Sequence, residues 1–224
     1  MQAFPKTGSL DLTRQLAALR ESKFQGEVRA AYAEFVAMLD RAEVAAHVLA
    51  PGAPMPGFLL PNAEGRLLSS DALLESGPLV VTFFRGDWCP FCTLMLSALE
   101  EALPELHAAG ATLVAITPDT GGRALRAKRA HGLHYEVLSD VDNEAAMQFG
   151  VVVNPPESYR ALLAGADIDL AERHGNPGGF IPLPATFLVG GDGMVRSAWI
   201  DLDVTRRVEP TEIIDAVRRL PAGR

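Results

Sequence analysis

Cys89 and Cys92, in the run Arg85-Gly-Asp-Trp-Cys-Pro-Phe-Cys92, are the only thiols of a 224-residue chain. A thiol reacts as its thiolate, so the question is whether the surroundings favour the charged form. Upstream, Pro78-Leu-Val-Val-Thr-Phe-Phe84 is a short apolar run rich in β-branched and aromatic residues. Such a run predicts a strand buried on both faces. Downstream, Leu94, Met95, Leu96, Leu99, Leu103 and Leu106 recur at helical spacing. The cysteines therefore fall at a helix N-terminus, where free N–H groups and the positive dipole end favour a thiolate. An attraction of about 1 kcal/mol at such a terminus takes the thiolate share at neutral pH from a few per cent towards roughly a fifth. The chemistry on offer is that of a reactive dithiol.

Other uses of two cysteines fit less well. A structural zinc site takes four ligands and a single Cys-x-x-Cys supplies two. His107, His131, His134 and His174 are scattered without ligand spacing, so no metal and no cofactor are expected. A Cys89–Cys92 disulfide closes too short a loop to stabilise the fold by restricting the unfolded chain. Two inert core thiols are the remaining alternative.

Composition bounds the partners. Formal net charge is −8, with 48% hydrophobic residues and no cluster of Lys or Arg. That argues against nucleic acid and against an anionic membrane. No apolar stretch reaches the length of a membrane-spanning helix, and MQAFPKTGSLDLTRQL lacks the basic flank and apolar core of a signal peptide. The expectation is a cytoplasmic chain, in which a transient catalytic disulfide is more plausible than a structural one.

The elements that must position the dithiol alternate along the chain. Residues 1–50 read as a helical extension. Within it Val28, Tyr32, Phe35, Val36 and Leu39 form one apolar face that packs on the body or on a second copy in a homodimer. Pro51-Gly-Ala-Pro-Met-Pro-Gly57 ends it, and residues 51–224 form the main domain. A hairpin about Asn62-Ala-Glu-Gly65 precedes the buried strand and the cysteine helix. A strand at 111–117, a helix at 123–130, a strand at 135–138 and a helix capped by Asp140 or Asp142 follow. Residues 152–183 form a partly helical insertion, too long for an ordinary connection, that reads equally as a cover over the dithiol or as surface decoration. A hairpin turning on Gly190-Gly-Asp-Gly193 and a helix opened by Pro210 complete the chain. The pattern is α/β: a mixed central sheet with helices on both faces.

These pieces resemble the thioredoxin fold: a cysteine motif between a central strand and a helix, and Pro184-Ala-Thr186-Phe opening a late hairpin. The longer N-terminal hairpin and Val137-Leu-Ser-Asp140-Val-Asp-Asn are similar to the peroxiredoxin branch, the AhpC/TSA type. The closest match is its RGxWCPFC subgroup. The resemblance covers roughly Pro54 to Leu220 and implies a thioredoxin-like fold with a peroxiredoxin-type N-terminal extension. It also implies a thiol-dependent enzyme that reduces small peroxides, with thioredoxin, glutaredoxin or glutathione as reductant. Peroxiredoxins carry Thr-x-x-Cys; aligned so, Cys89 takes the threonine position and Cys92 the peroxidatic one. Pro184-Ala185 stands where that family often has an arginine, and Pro184 resembles the cis-proline of thioredoxins, so the Leu183–Pro184 bond is expected to be cis.

As a Cys-x-x-Cys at a helix start, the motif instead makes Cys89 the more exposed, lower-pKa, attacking thiol and Cys92 its resolving partner. Pro90 suits the first helical turn and can tune the redox potential, Trp88 shields the sulfurs or simply packs, and Arg85 steadies the thiolate, polarises a peroxide or is a solvated turn residue. Two further functions stay open. The Cys-Pro-Phe-Cys sequence is similar to that of glutaredoxins, which suits a thiol–disulfide oxidoreductase acting on a disulfide substrate. A non-enzymatic redox sensor or binding module would use the dithiol as a switch.

Overall fold

The apolar run after Pro78 becomes the central strand, and the molecule is layered about it. The computed structural model describes residues 11–221. The chain begins with α1 (Leu12–Lys23) and α2 (Gly26–Arg41), the hairpin β1 (Leu59–Pro61) and β2 (Leu67–Ser69), and α3 (Ser70–Leu74). Then come β3 (Leu79–Phe83), α4 (Pro90–Ala108), β4 (Thr112–Thr117), α5 (Arg123–His131), β5 (Glu136–Ser139) and α6 (Glu144–Gln148). The next segment holds β6 (Val152–Val153), α7 (Glu157–Gly165), α8 (Leu170–His174) and β7 (Ile181–Pro182). The hairpin β8 (Ala185–Val189) and β9 (Val195–Ile200) leads to α9 (Pro210–Arg218).

Five strands form a mixed sheet in the order β5-β4-β3-β8-β9. β3 pairs parallel with β4 and antiparallel with β8, so the strand that feeds the cysteines is central. Side chains alternate across it. Leu79, Val81 and Phe83 pack with Phe35 of α2, Phe149, Tyr159 of α7 and Phe187, whereas Val80 packs with Leu96 and Leu99 of α4, Leu16 of α1 and Ile213 of α9. Helices thus cover both faces, as the α/β reading expects.

Two local details differ from the sequence reading, and a third decides between alternatives it left open. The N-terminal extension is two helices, broken at Phe24-Gln25-Gly26, where Gly26 adopts φ +49°; its first ten residues lie outside the described ones. Asp140, not Asp142, caps α6, its carboxylate accepting the N–H groups of Ala145 at 3.0 Å and Ala146 at 2.8 Å. No peptide bond among the described residues is cis, so Leu183–Pro184 is trans. There the Leu183 N–H is held by the Val151 carbonyl at 2.7 Å and its side chain is fully buried, which carries the chain straight from β7 into β8.

Candidate active site

Cys89 is the N-cap of α4, with φ −92° and ψ 106°, and its Sγ accepts the Cys92 N–H at 3.4 Å. Pro90 follows at the first helical position, where its missing N–H leaves nothing unpaired. Cys92 then stands one turn along. The same Sγ accepts a second bond, from Arg85 Nη2 at 3.3 Å. Arg85 is 2% exposed and its Nη1 donates to the Tyr159 hydroxyl at 2.7 Å. A buried guanidinium is costly unless it meets an anion, and the anion within reach is the Cys89 thiolate.

The two thiols are driven apart in acidity. Burial pushes Cys89 up, but the hydrogen bond from Cys92 and the charges of Arg85 and Arg207 outweigh it and hold Cys89 well below the ordinary thiol value. Burial pushes Cys92 up as well, and there the neighbouring Cys89 adds to the rise, so Cys92 stays protonated. A low thiol beside a high one is the division of labour a nucleophile and a resolving partner need.

The expected difference in exposure is absent: both cysteines are 1% exposed. The reason is a cover drawn from distant segments. Phe24, in the break between α1 and α2, packs against Phe91 with tilted rings, their centroids 5.4 Å apart. Tyr159 of α7 lies over Arg85 with its ring centroid 5.9 Å from the guanidinium carbon, and Trp88 approaches that carbon at 5.3 Å while its Nε1 donates to the Arg85 carbonyl. Arg173 of α8 is ion-paired with Asp87 and Asp119, and the Asp119 carboxylate accepts the Asp87 N–H at 3.3 Å. Burial pushes Asp119 up to about 6, against the opposing pull of Arg173. Gly86, at φ +139°, is required here: a Cβ would lie 2.5 Å from Asp119 Oδ2 and 2.6 Å from Trp88 Nε1.

On the β8 side a cavity of about 260 Å³ opens onto Cys92. Pro184 and Thr186 line it, with the Thr186 hydroxyl 3.0 Å from that of Thr82 on β3. All seven residues singled out from sequence (Arg85, Trp88, Cys89, Pro90, Cys92, Pro184 and Thr186) therefore gather around one site. Sequence reasoning missed Arg207 and Asp119, and gave Tyr159 no role of its own. Only Tyr159 left a signal, since it lies in the long segment after residue 152; Arg207 sits in an ordinary polar loop after β9. Among the described residues no three His, Cys, Asp or Glu side chains converge as metal ligands, and no helix is long and apolar enough to cross a membrane.

Known proteins resemble this chain in sequence and in fold. The model of the AhpC/TSA family matches residues 51–198. A Mycobacterium tuberculosis protein bearing a peroxiredoxin name is 31% identical over 160 residues, which cover 71% of this chain and 90% of the relative. A bcp protein of Coxiella burnetii, also named as a peroxiredoxin, is 26% identical over 160 residues, 70% of this chain and 92% of its own. The solved structure of peroxidoxin BcpB from Mycobacterium tuberculosis superposes with a TM-score of 0.60 at 21% identity, covering 77% of this chain and 98% of that one. Peroxiredoxin Q of Xanthomonas campestris gives 0.58 at 20% identity, over 76% and 95% of the two chains. These structures share the fold.

Proposed function

This chain belongs to the AhpC/TSA family, whose chemistry is thiol-dependent peroxide reduction, and we propose that Cys89 carries out that chemistry here with Cys92 as its resolving partner. One observation carries the assignment: the Arg85 guanidinium and the Cys92 N–H both point at Cys89 Sγ. The thiolate attacks the terminal peroxide oxygen, the O–O bond breaks, and the alkoxide or hydroxide leaves and takes a proton. Arg85 already faces the sulfur and can stabilise the charge that develops on the leaving oxygen. Cys89 is now a sulfenic acid. Cys92 gives up its proton, attacks the Cys89 sulfur and expels water, forming the disulfide. An external thiol (thioredoxin, glutaredoxin or glutathione) restores the dithiol.

In this reading residues 1–50 are an extension and residues 152–183 an insertion, and a part of each, about Phe24 and Tyr159, covers the site. Phe24 and Tyr159 support that role, because each touches a residue of the cysteine motif or its arginine. We place the reaction in the cytoplasm, where the chain's only two cysteines can cycle without a competing structural disulfide. A second reading, thiol–disulfide exchange, is favoured by the low first thiol and high second thiol of the Cys-Pro-Phe-Cys turn. Consumption of hydrogen peroxide with each reductant system separates the two. Peroxidase turnover that disappears in Cys89→Ser supports the proposal, whereas disulfide reduction without peroxide turnover favours exchange.

A further inference from the structure

The wall of the cavity beside Cys92 carries a guanidinium with no hydrogen-bonded anion among the described residues. Arg207 lines it, and its Nε and Nη2 are out of solvent without a hydrogen-bond partner among the described residues, while Nη1 is tied to the Arg206 carbonyl. Neighbouring Arg206 is paired instead, at 3.8 Å from Asp201 and 3.7 Å from Asp203. Among the described residues Asp201 is the only carboxylate on the cavity wall, and Arg206 engages it. The remaining walls are largely apolar, from Phe84, Met95, Leu96 and Trp199. A guanidinium whose Nε and Nη2 are left unpaired is matched by a carboxylate, which that edge can hold through two parallel bonds. At about 260 Å³ the space takes a small molecule and not a folded domain.

Cys92 lines this cavity and Cys89 does not. A ligand inside it therefore lies against Cys92 and not against Cys89. We propose that the cavity receives the reductant, a small thiol that bears a carboxylate, with the carboxylate on Arg207 and the sulfur directed at Cys92. The inference rests on the dithiol cycle proposed above. The reductant thiolate attacks Cys92 Sγ, the Cys89–Cys92 bond breaks, and its electron pair leaves on Cys89 as the thiolate. That direction of attack is favoured, because exchange is faster when the departing thiol is the more acidic one, and Cys89 is held as a thiolate by Arg85. A second reductant thiolate attacks the reductant sulfur of the mixed disulfide. Cys92 leaves and takes a proton, and the oxidised reductant dissociates as a symmetrical disulfide.

The test uses protein oxidised with diamide, so that peroxide turnover is not needed to prepare the disulfide. Its reduction is followed in stopped flow with mercaptopropionate, mercaptoethanol and cysteamine, which carry a negative, no and a positive charge besides the thiol. Rates are expressed per thiolate. Mercaptopropionate is expected to exceed mercaptoethanol by about ten-fold, the factor that ~1.4 kcal/mol represents. Arg207→Gln should abolish that ratio and Arg207→Lys should restore part of it. Arg218→Gln, the same change in net charge at an exposed, paired side chain outside the cavity, should keep it. Equal rates in the unsubstituted protein, or a ratio lost equally in both Gln variants, would overturn the proposal while leaving the dithiol cycle intact. If diamide yields no intramolecular disulfide, both fall. A preference for a carboxylate-bearing hydroperoxide in the oxidation step, without any preference among thiols, would assign the cavity to the peroxide and refute its role in reduction.

Discussion

Arg85 does at residue scale what the helix terminus alone does only weakly. A hydrogen bond to a charged group contributes about 1.5–3 kcal/mol, which corresponds to roughly ten- to a hundred-fold in rate or acidity. Arg85→Gln should therefore slow the reaction with hydrogen peroxide at neutral pH by a factor in that range, read by stopped flow, and raise the pH at which thiolate absorbance appears. The pH dependence has a definite sign. The folded-state value of Cys89 is depressed, so its thiolate stabilises the fold most above the ordinary thiol value of about 8.5, and that contribution is lost as pH falls through the folded value. Denaturant midpoints should rise with pH towards that limit in the native protein and rise less in Cys89→Ser. Next to it, Gly86→Ala should cost at least ~2 kcal/mol in denaturant unfolding, since the new methyl meets Asp119 and Trp88 in a backbone region that side chains avoid. The convergence of Cys89, Cys92 and Arg85 was legible because strand, turn and helix signals abut within a few residues. The equal burial of the two thiols was not, because Phe24 and Tyr159 arrive from segments far away in sequence.

The cover is the feature that belongs to the scale of elements. α8 is pinned to the loop before Cys89 through Arg173, Asp87 and Asp119. Asp119 is raised to about 6 by burial. Its contribution to stability is therefore fully present below about 3.9, the ordinary aspartate value, and is lost as pH rises through about 6. Asp119→Asn should remove that acid-side slope from a plot of unfolding free energy against pH. Replacing Glu157 to His174 with a short Gly-Ser linker takes away both Tyr159 and Arg173. Iodoacetamide should then label Cys89 faster, and activity on protein disulfides should gain relative to small peroxides; unchanged labelling in a folded variant would make the segment decoration. From sequence this stretch could be read only as helical fragments between prolines and glycines. Its docking depends on one tyrosine and one arginine meeting partners outside the segment, and local periodicity carries no such information. The same is true of Pro184, whose trans bond follows from the anchoring of Leu183 on Val151 and not from its neighbours in sequence.

At the scale of the whole molecule the redox state and the stability are linked. The reduced form keeps a thiolate against the Arg85 guanidinium, and the disulfide removes that anion and leaves the cation buried without it. A four-residue loop adds little stabilisation in return. The oxidised protein should therefore be the less stable one, by about 1–3 kcal/mol, in parallel denaturant titrations of dithiol and disulfide forms. The mixed sheet and the helices on both faces were legible because alternating strands and helices with right-handed crossovers leave few arrangements, whereas the strand order came only from the structure. The cavity with Arg207 was not, because it lies where β3, α4, β8 and the loop after β9 meet, a juxtaposition no single segment encodes. The central claim, that the N-cap thiolate attacks the peroxide, is tested most directly by single-turnover trapping. Cys92→Ser and Cys89→Ser are each treated with one equivalent of hydrogen peroxide in the presence of dimedone and mapped by mass spectrometry. A dimedone adduct on Cys89 in the first variant, with Cys92 unmodified in the second, is the predicted result; rapid adduct formation on Cys92 in the second with none on Cys89 in the first would contradict it.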